Sequence, residues 1–225
     1  MLFDLDGTLL DTARDLADAL NELRRQERLA PLASERIRCF VSHGSAALVR
    51  LAFPDVSEAR FLALRDRLLE IYSRSLAVHT RPFEGMPALL EYLERQALPW
   101  GVVTNKPHAL AAPLLEAVGL AERTGVLVGG DTLPERKPHP RPLLYAAEQL
   151  HVNPAATVYV GDAERDVLAA QAAGMRAIVA CFGYIGPADD PRSWPAAAWA
   201  ASPLEILDWL RRQPQRGPAA LADST

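Results

Sequence analysis

The sequence predicts an α/β protein built on a mainly parallel sheet, with an all-helical segment inserted after the first strand. Beyond residue 85, short apolar runs alternate with helical patterns, which is typical of parallel strands joined by right-handed crossovers. Between residues 14 and 80, by contrast, only helical periodicity occurs. Polar clusters follow directly after several of the apolar runs, and open parallel sheets bind ligands outside the carboxyl ends of their strands. Together these observations predict a ligand site at that edge of the sheet.

The first strand is short, and the helical insert begins soon after it. Met1, Leu2 and Phe3 form an apolar run that ends at a Gly-Thr turn. Because a central strand usually has ~5–6 residues, we expect the natural chain to start a few residues upstream of Met1. The helical patterns of the insert cover residues 16–23, 34–40, 45–53 and 58–78.

After about residue 81, strands and helices alternate. The predicted strands cover residues 99–103, 125–128, 157–160 and 176–180. The predicted helices cover residues 86–96, a stretch ending at Gly119, 140–150 and 166–173. Residues 1–13 and 81–212 thus form a Rossmann-like core, and residues 14–80 form the insert. The tail over 213–225 is rich in Pro, Gly and Ala without periodicity, and we expect it to be disordered.

The composition indicates a globular protein and excludes several classes of function. Of 225 residues, 49% are hydrophobic and 23% are charged, which suits one large domain or a core with a smaller insert. A formal net charge of −4 argues against bulk binding of nucleic acid. No apolar run approaches the ~20 residues of a membrane span. Cys39 and Cys181 lie far apart with no CxxC pattern, so neither a zinc site nor a disulfide framework is indicated. We expect a cytoplasmic protein with no membrane partner.

Two carboxylates, Asp4 and Asp6, follow the first strand one residue apart. Because the strand period is two, their side chains project in the same direction beyond the end of the strand. Like charges so close repel each other, so the pair is favoured around a cation or where one carboxyl group keeps a proton for acid catalysis. A strand-end Asp followed by an Asp-Gly turn is the alternative for this pentapeptide alone.

Two later segments offer groups that suit a phosphate. Thr104, Asn105 and Lys106 supply a hydroxyl, an amide and an ammonium after the second core strand; a helix cap with a solvated lysine is the alternative. Lys137 lies beside prolines in the loop after the next strand and can neutralise both a phosphoryl group and a carboxylate. A simple surface lysine is the alternative there.

A second acidic pair follows the strand over residues 157–160. Asp162 is expected to emerge beside Asp4, and Asp166 to point back toward the same site from one helical turn later. Hard oxygen ligands of this kind suit Mg²⁺. The alternative is a helix N-cap with an acidic side chain on the surface of the first turn.

In order and context, these four segments resemble the signature of the haloacid dehalogenase superfamily. That signature is DxDGT, a Thr or Ser after the second strand, a Lys, and GDxxxD, and the resemblance covers roughly residues 1–210. It implies that the insert over 14–80 is a helical cap of the family's first type.

The resemblance also implies a role for each carboxylate. Asp4 is the expected nucleophile, which forms an aspartyl-phosphate. Asp6 is expected to protonate the leaving oxygen and then to deprotonate the attacking water. Haloacid dehalogenases lack an acid at the position of Asp6, which favours a phosphatase or phosphomutase. Mg²⁺ is the implied cofactor, held by Asp4, the backbone carbonyl of Asp6 and Asp162, with Asp166 supporting from close range.

The phosphate ligands and the reaction class follow from the same resemblance. Thr104 and Lys137 are expected to bind the transferring phosphoryl group, and Asn105 to contact it or the nearby loop. The implied activity is Mg²⁺-dependent hydrolysis of a small phosphomonoester by a monomer or homodimer. A sugar phosphomutase similar to β-phosphoglucomutase is the alternative, followed by a non-enzymatic scaffold of the same fold.

Two groups of phosphatases within the superfamily share further segments with the chain. Residues 104–107 and 130–140 resemble bacterial phosphoglycolate phosphatases. Residues 77–79, 83–87 and 100–103, with 182–185, resemble N-acetylmuramate 6-phosphate phosphatases, which act in cytoplasmic recycling of peptidoglycan sugars. Both implied substrates carry a carboxylate as well as a phosphate.

Because of that carboxylate, we expect the cap to present a cation to the site. Residues 14–80 contain 11 Arg and no Lys against 9 Asp and Glu, which gives a charge of +2. Because the whole chain has a net charge of −4, the remaining residues carry −6. Scattered surface arginines are the alternative explanation of that count. The candidate residues for substrate contact are His43 and Gly44, in the loop 42–45, and Arg50.

Overall fold

A computed structural model describes residues 1–213, and its largest element is a six-stranded, all-parallel sheet. Apart from Gln213, the tail predicted over 213–225 lies outside the described residues. The strands are β1 (Leu2–Phe3), β2 (Leu10–Asp11), β3 (Arg81–Pro82), β4 (Gly101–Val103), β5 (Leu127–Val128), β6 (Val158–Gly161), β7 (Arg176–Ala180) and β8 (Ala198–Ala200). The sheet order is β5-β4-β1-β6-β7-β8. The α/β prediction is therefore confirmed.

The helices divide into two groups along the chain. In the insert lie α1 (Ala13–Gln26), α2 (Ser34–Val41), α3 (Gly44–Ala52) and α4 (Glu58–Ser73). The core contains α5 (Met86–Arg95), α6 (His108–Ala117), α7 (Arg141–Gln149), α8 (Glu164–Ala172) and α9 (Pro203–Arg211). Every helix within residues 1–213 is too short or too polar to span a lipid bilayer.

Strand β1 lies in the middle of the sheet because both of its faces are apolar. Phe3 packs into one hydrophobic cluster, where its ring meets Trp100 edge-on at 6.3 Å, and Leu2 packs into a second cluster on the opposite face. Leu2 and Phe3 are both fully buried. Since β1 pairs in parallel with β4 on one side and β6 on the other, the residues after these three strands meet at one edge.

The four helices of the insert enclose a further hydrophobic cluster, which Leu110 and Tyr184 of the core complete. We call this unit the cap. Its helix α4 ends at Ser73, five residues before the predicted end at Val78. The chain must turn there to return to the core, and Leu76 packs against the clusters of both the core and the cap.

The core and the cap are joined by the antiparallel strands β2 and β3, which we call the neck. Tyr184, in the loop after β7, holds strand β2 of the neck in place. Its hydroxyl accepts hydrogen bonds from the Thr12 and Ala13 amides and donates to Asp11. On the cap side, the Asp15 carboxylate accepts from the Thr80 amide and hydroxyl at 2.9 and 2.7 Å. Both crossings between core and cap are thus held by buried polar contacts.

One strand and one helix of the core are additional to those expected from the sequence. Strand β8 extends the sheet beyond β7, where the last predicted strand ends, and α9 packs behind it. The segment before β8 contains Pro191, Pro195 and Trp194 and has no clear period. For that reason the sequence pattern gave no signal for this edge of the sheet.

Candidate active site

The polar segments that follow β1, β4 and β6 converge at the carboxyl edge of the sheet. Asp4 follows β1, Thr104 follows β4 and Asp162 follows β6. Carboxylate oxygens of Asp4, Asp162 and Asp166 lie within 4.8 Å of one another. The three carboxylates are buried, with relative exposures of 4%, 2% and 1%. The parallel topology therefore brings together residues that are far apart in the sequence.

Lys137 lies at the centre of this acidic cluster. Its ammonium is 2.9 Å from Asp4 Oδ1 and 2.8 Å from Asp166 Oδ1, and its side chain is only 1% exposed. It also donates to the Tyr159 hydroxyl at 2.7 Å and to the Val103 carbonyl at 3.0 Å. The surface position considered as an alternative for this lysine is wrong. The ammonium is held in place by four neighbours and compensates part of the negative charge.

The backbone of Lys137 is fixed by Asn105. The Asn105 amide donates to the Lys137 carbonyl at 3.0 Å, and its side-chain oxygen accepts from the Lys137 N–H at 3.1 Å. In this arrangement Asn105 contacts the loop, which is one of the two roles expected of it. Thr104 is 4% exposed, accepts from the Lys106 N–H at 3.2 Å, and lines the cavity beside Asp4.

Asp162 has one satisfied and one unsatisfied carboxylate oxygen. Oδ2 accepts from the Ser42 hydroxyl at 2.6 Å and from the Tyr184 N–H at 2.8 Å. Oδ1 is buried without a hydrogen-bond partner among residues 1–213. Burial, reinforced by the charges of Asp4 and Asp166, raises the pKa of Asp162 to about 7. A cation at this oxygen would supply the missing partner and would offset the repulsion from Asp4 and Asp166.

The acidic cluster therefore fits a divalent metal. Three carboxylates and one ammonium leave a charge of −2, which Mg²⁺ would neutralise, and the donors are the hard oxygens that Mg²⁺ prefers. The Asp166 Oδ2 atom accepts from the Ala163 N–H at 3.0 Å while Oδ1 faces Lys137. Both oxygens of Asp166 thus face other groups of the site, the Ala163 N–H and the Lys137 ammonium.

Asp6 is held apart from the acidic cluster by two other side chains. Its Oδ1 accepts from the Thr12 hydroxyl at 2.6 Å and lies 2.9 Å from the Lys106 ammonium. Lys106 in turn lies 4.4 Å from the ring centroid of Tyr72, which belongs to the cap helix α4. The sequence pattern placed Lys106 near a phosphate but gave no sign of its ion pair with Asp6, because the two residues are 100 positions apart.

A cavity lies between these core residues and the cap. From the core, its walls include Asp4, Asp6, Thr104 and Arg165. From the cap, they include His43, Gly44 and Ser45, which belong to the segment 42–45 predicted from the sequence to contact substrate.

Arg50, the third cap candidate, lies elsewhere. Its guanidinium pairs with Glu58 at 3.5 Å, stacks 4.2 Å from the Phe61 ring centroid, and does not line the cavity. The sequence alone did not indicate whether a given cap arginine lines the cavity or lies elsewhere.

Comparisons with known proteins agree with this geometry. Residues 1–180 match the family described as haloacid dehalogenase-like hydrolase. A protein of Xanthomonas campestris pv. campestris (strain 8004) named phosphoglycolate phosphatase is 43% identical over 208 residues, which are 92% of this chain and 94% of that protein. A Pseudomonas aeruginosa protein named N-acetylmuramic acid 6-phosphate phosphatase is 40% identical over 213 residues, 94% of both proteins. The crystal structure of a predicted phosphoglycolate phosphatase from Haemophilus somnus 129pt has a TM-score of 0.83 at 27% identity and covers 93% of this chain and 96% of that one.

Proposed function

We infer that the chain, which belongs to the haloacid dehalogenase-like hydrolase family, is a phosphatase that hydrolyses a small phosphomonoester carrying a carboxylate. The observation that carries this proposal is the buried cluster of Asp4, Asp162 and Asp166 with Lys137, in which Asp4 lines a cavity beneath the cap. Phosphoryl transfer depends mainly on positioning and on charge neutralisation, and this cluster supplies both.

Asp4 is the proposed nucleophile because one of its oxygens is held and the other is left free. The Leu5 N–H and the Lys137 ammonium both approach Oδ1, at 2.8 and 2.9 Å. No hydrogen bond to Oδ2 occurs within residues 1–213, so this oxygen is available to attack phosphorus. A bond forms between Oδ2 and phosphorus as the bond from phosphorus to the ester oxygen breaks, which gives an aspartyl-phosphate.

Asp6 is the proposed proton shuttle. It gives a proton to the leaving ester oxygen, and it later takes a proton from the water that attacks the aspartyl-phosphate and releases inorganic phosphate. Thr12 and Lys106 hold its carboxylate at the cavity wall beside Asp4. Thr104 and Lys137 are proposed to bind the oxygens of the transferring phosphoryl group.

Mg²⁺ is the proposed cofactor, held by Asp4, the backbone carbonyl of Asp6 and Asp162, with Asp166 in support. When bound, it supplies positive charge to the phosphoryl oxygens and draws the substrate toward the acidic residues. The buried and unpartnered Asp162 Oδ1 supports this assignment. The cytoplasmic location and the monomeric or homodimeric state stay predictions from the sequence.

The substrate class is proposed from the names of the relatives. One is named for 2-phosphoglycolate and another for N-acetylmuramic acid 6-phosphate, and both of these esters carry a carboxylate. Release of inorganic phosphate without an isomerised sugar phosphate would separate this function from that of a phosphomutase.

Replacing Asp4 by Asn tests the proposed function most directly. The side chain keeps its size but loses its nucleophilic oxygen, so we expect kcat to fall by at least about 10⁴-fold in a protein that still folds, as its circular dichroism spectrum would show. The exposed Asp208 gives the matched control, Asp208→Asn, with unchanged turnover. Chelation should also abolish the wild-type activity, and Mg²⁺ should restore it. Turnover retained by Asp4→Asn would remove Asp4 as the nucleophile.

A further inference from the structure

One arginine on the core side of the cavity has no role in the proposed chemistry. Arg165 is the second residue of α8, between the acidic residues Asp162 and Asp166. It lines the cavity, is partly buried, and donates a hydrogen bond from Nη2 to the Ser42 carbonyl of the cap. Within the described part of the chain, its guanidinium has no carboxylate oxygen within the 4.0 Å of an ion pair.

The other positive groups around the cavity are already neutralised. Lys106 pairs with Asp6, and Lys137 with Asp4 and Asp166. With Mg²⁺ bound, the acidic cluster and Lys137 would carry no net charge, and the Lys106 ammonium is directed at Asp6. The charge of Arg165 is therefore left over at the cavity wall, where it faces whatever the cavity binds.

The cap arginines do not compete for this role. Arg38 pairs with Asp11 at 2.9 Å and lies 4.4 Å from the ring centroid of Tyr184 at the neck. Arg50 pairs with Glu58 and is absent from the cavity wall. Neither of these two cap arginines therefore lines the cavity.

We propose that Arg165 binds the carboxylate of the leaving group and so selects carboxylated phosphomonoesters. This inference rests on the proposed function. A guanidinium recognises a carboxylate through two parallel N–H···O bonds, and the contact with Ser42 occupies only one of its donors.

The place of Arg165 in the cavity also favours the leaving group over the phosphoryl group. The nucleophile Asp4 lines the cavity and pairs with Lys137. Arg165 lines the same cavity and reaches the cap through the Ser42 carbonyl, next to His43 and Gly44. In the proposal, a substrate whose phosphorus lies at Asp4 places its leaving group on the cap side of the cavity, beside Arg165.

Pairs of substrates that differ in the carboxylate provide the test. N-acetylmuramate 6-phosphate and N-acetylglucosamine 6-phosphate share a phosphorylated sugar, but only the first carries a lactyl carboxylate. Phosphoglycolate and 2-hydroxyethyl phosphate form a smaller pair of the same kind. In each pair, kcat/KM is measured for the wild type, Arg165→Gln, Arg165→Lys and, as a matched control on the exposed surface of the cap, Arg36→Gln.

We expect Arg165→Gln to lower kcat/KM about 10- to 100-fold for the carboxylated member, mainly through KM, as for the loss of a hydrogen bond between charged groups. The member without a carboxylate should change by less than about 3-fold, Arg165→Lys should show a smaller selective loss, and Arg36→Gln should match the wild type.

An equal loss on both members of a pair would overturn the inference, because Arg165 would then serve the phosphoryl group or hold the cap. No loss on either member would overturn it as well. The ratio within a pair is measured on a single preparation, so a partly unfolded Arg165→Gln sample still gives a decisive answer, and Arg165→Lys gives a second one. Failure of the wild type to hydrolyse any of the four esters would instead reject the proposed function.

Discussion

The sheet edge and the cap hold their charged side chains in opposite ways. At the sheet edge, Lys137 and Asp166 form an ion pair in which each side chain is 1% exposed. In the cap, the pair of Arg74 and Glu70 is 70% and 61% exposed. Exposed pairs contribute little to stability, whereas breaking a buried pair leaves an uncompensated charge in a poorly solvated place. The sheet edge is therefore fixed in its charge arrangement, and the surface of the cap is not.

This difference teaches where chemistry and where selectivity can reside. Groups that must keep one geometry through a reaction are best placed on rigid elements, and here they follow four neighbouring parallel strands, β5, β4, β1 and β6. Among the described residues, the cap reaches the acidic cluster through the Ser42 hydroxyl, which donates to Asp162. We expect movement of the cap relative to the core to admit substrate and to exclude water.

The largest effect is expected at the centre of the sheet edge, from Lys137→Met. The substitution keeps an unbranched side chain, shorter by the terminal nitrogen, and leaves Asp4 and Asp166 without their ammonium. We expect the free energy of unfolding in chelator to fall by about 3–5 kcal/mol and kcat to fall by at least about 10³-fold. Urea denaturation and steady-state kinetics measure the two.

The matched change in the cap is Arg74→Met, which removes an exposed charge. We expect it to shift the free energy of unfolding by less than about 1 kcal/mol. Similar losses from Lys137→Met and Arg74→Met would contradict the distinction between the two regions.

A pH dependence of the metal-free protein is the second way to test the sheet edge. The pKa of Asp162 is raised from its ordinary 3.8 to about 7, so the folded state favours the protonated form. The corresponding contribution to stability is complete below pH 3.8 and is lost as the pH rises through about 7. In chelator, the melting temperature should therefore fall between pH 5 and pH 8, by an amount that corresponds to a few kcal/mol at most.

Mg²⁺ should reverse this trend because it binds the ionised carboxylate. We expect the rise in melting temperature on adding saturating Mg²⁺ to be larger at pH 8 than at pH 5. Asp162→Asn should weaken both the fall in chelator and the gain with Mg²⁺. Equal gains at the two pH values in the wild type would argue against a metal at Asp162.

The sequence predicted much of the sheet edge because its signals are local. Asp4 and Asp162 each follow a short apolar strand, and parallel strands must end at the same edge, so their meeting follows from the pattern alone. The contacts that depend on tertiary packing were not predictable in this way. Ser42 reaches Asp162 across 120 residues, and Arg165 reaches the same loop across 123. No motif next to Ser42 or Arg165 in the sequence indicates which residue each of them contacts.

The smallest effect we predict concerns Lys106, which lies where the two regions meet. Its side chain is 5% exposed, and it joins Asp6 of the core to the ring of Tyr72 in the cap. Burial alone lowers the pKa of Lys106, but the Asp6 carboxylate more than offsets this, and the net pKa lies above the ordinary value. Lys106 therefore stays positively charged at any pH at which the enzyme works. Its effect on Asp6 is to hold the carboxylate in place.

We expect Lys106→Met to lower kcat about 10- to 100-fold while KM changes little, because Asp6 keeps only Thr12 as a partner. The loss of stability should be smaller than for Lys137→Met, since the Asp6 side chain is 15% exposed and can be hydrated. Tyr72→Phe is the matched control, because it keeps the ring that faces the ammonium and removes a buried hydroxyl that has no partner within residues 1–213. An unchanged kcat for Lys106→Met would show that Asp6 needs no support from this side of the cavity. If Lys106→Met lowers kcat and Tyr72→Phe does not, Asp6 is supported by Lys106 of the core and not by the hydroxyl of Tyr72 in the cap.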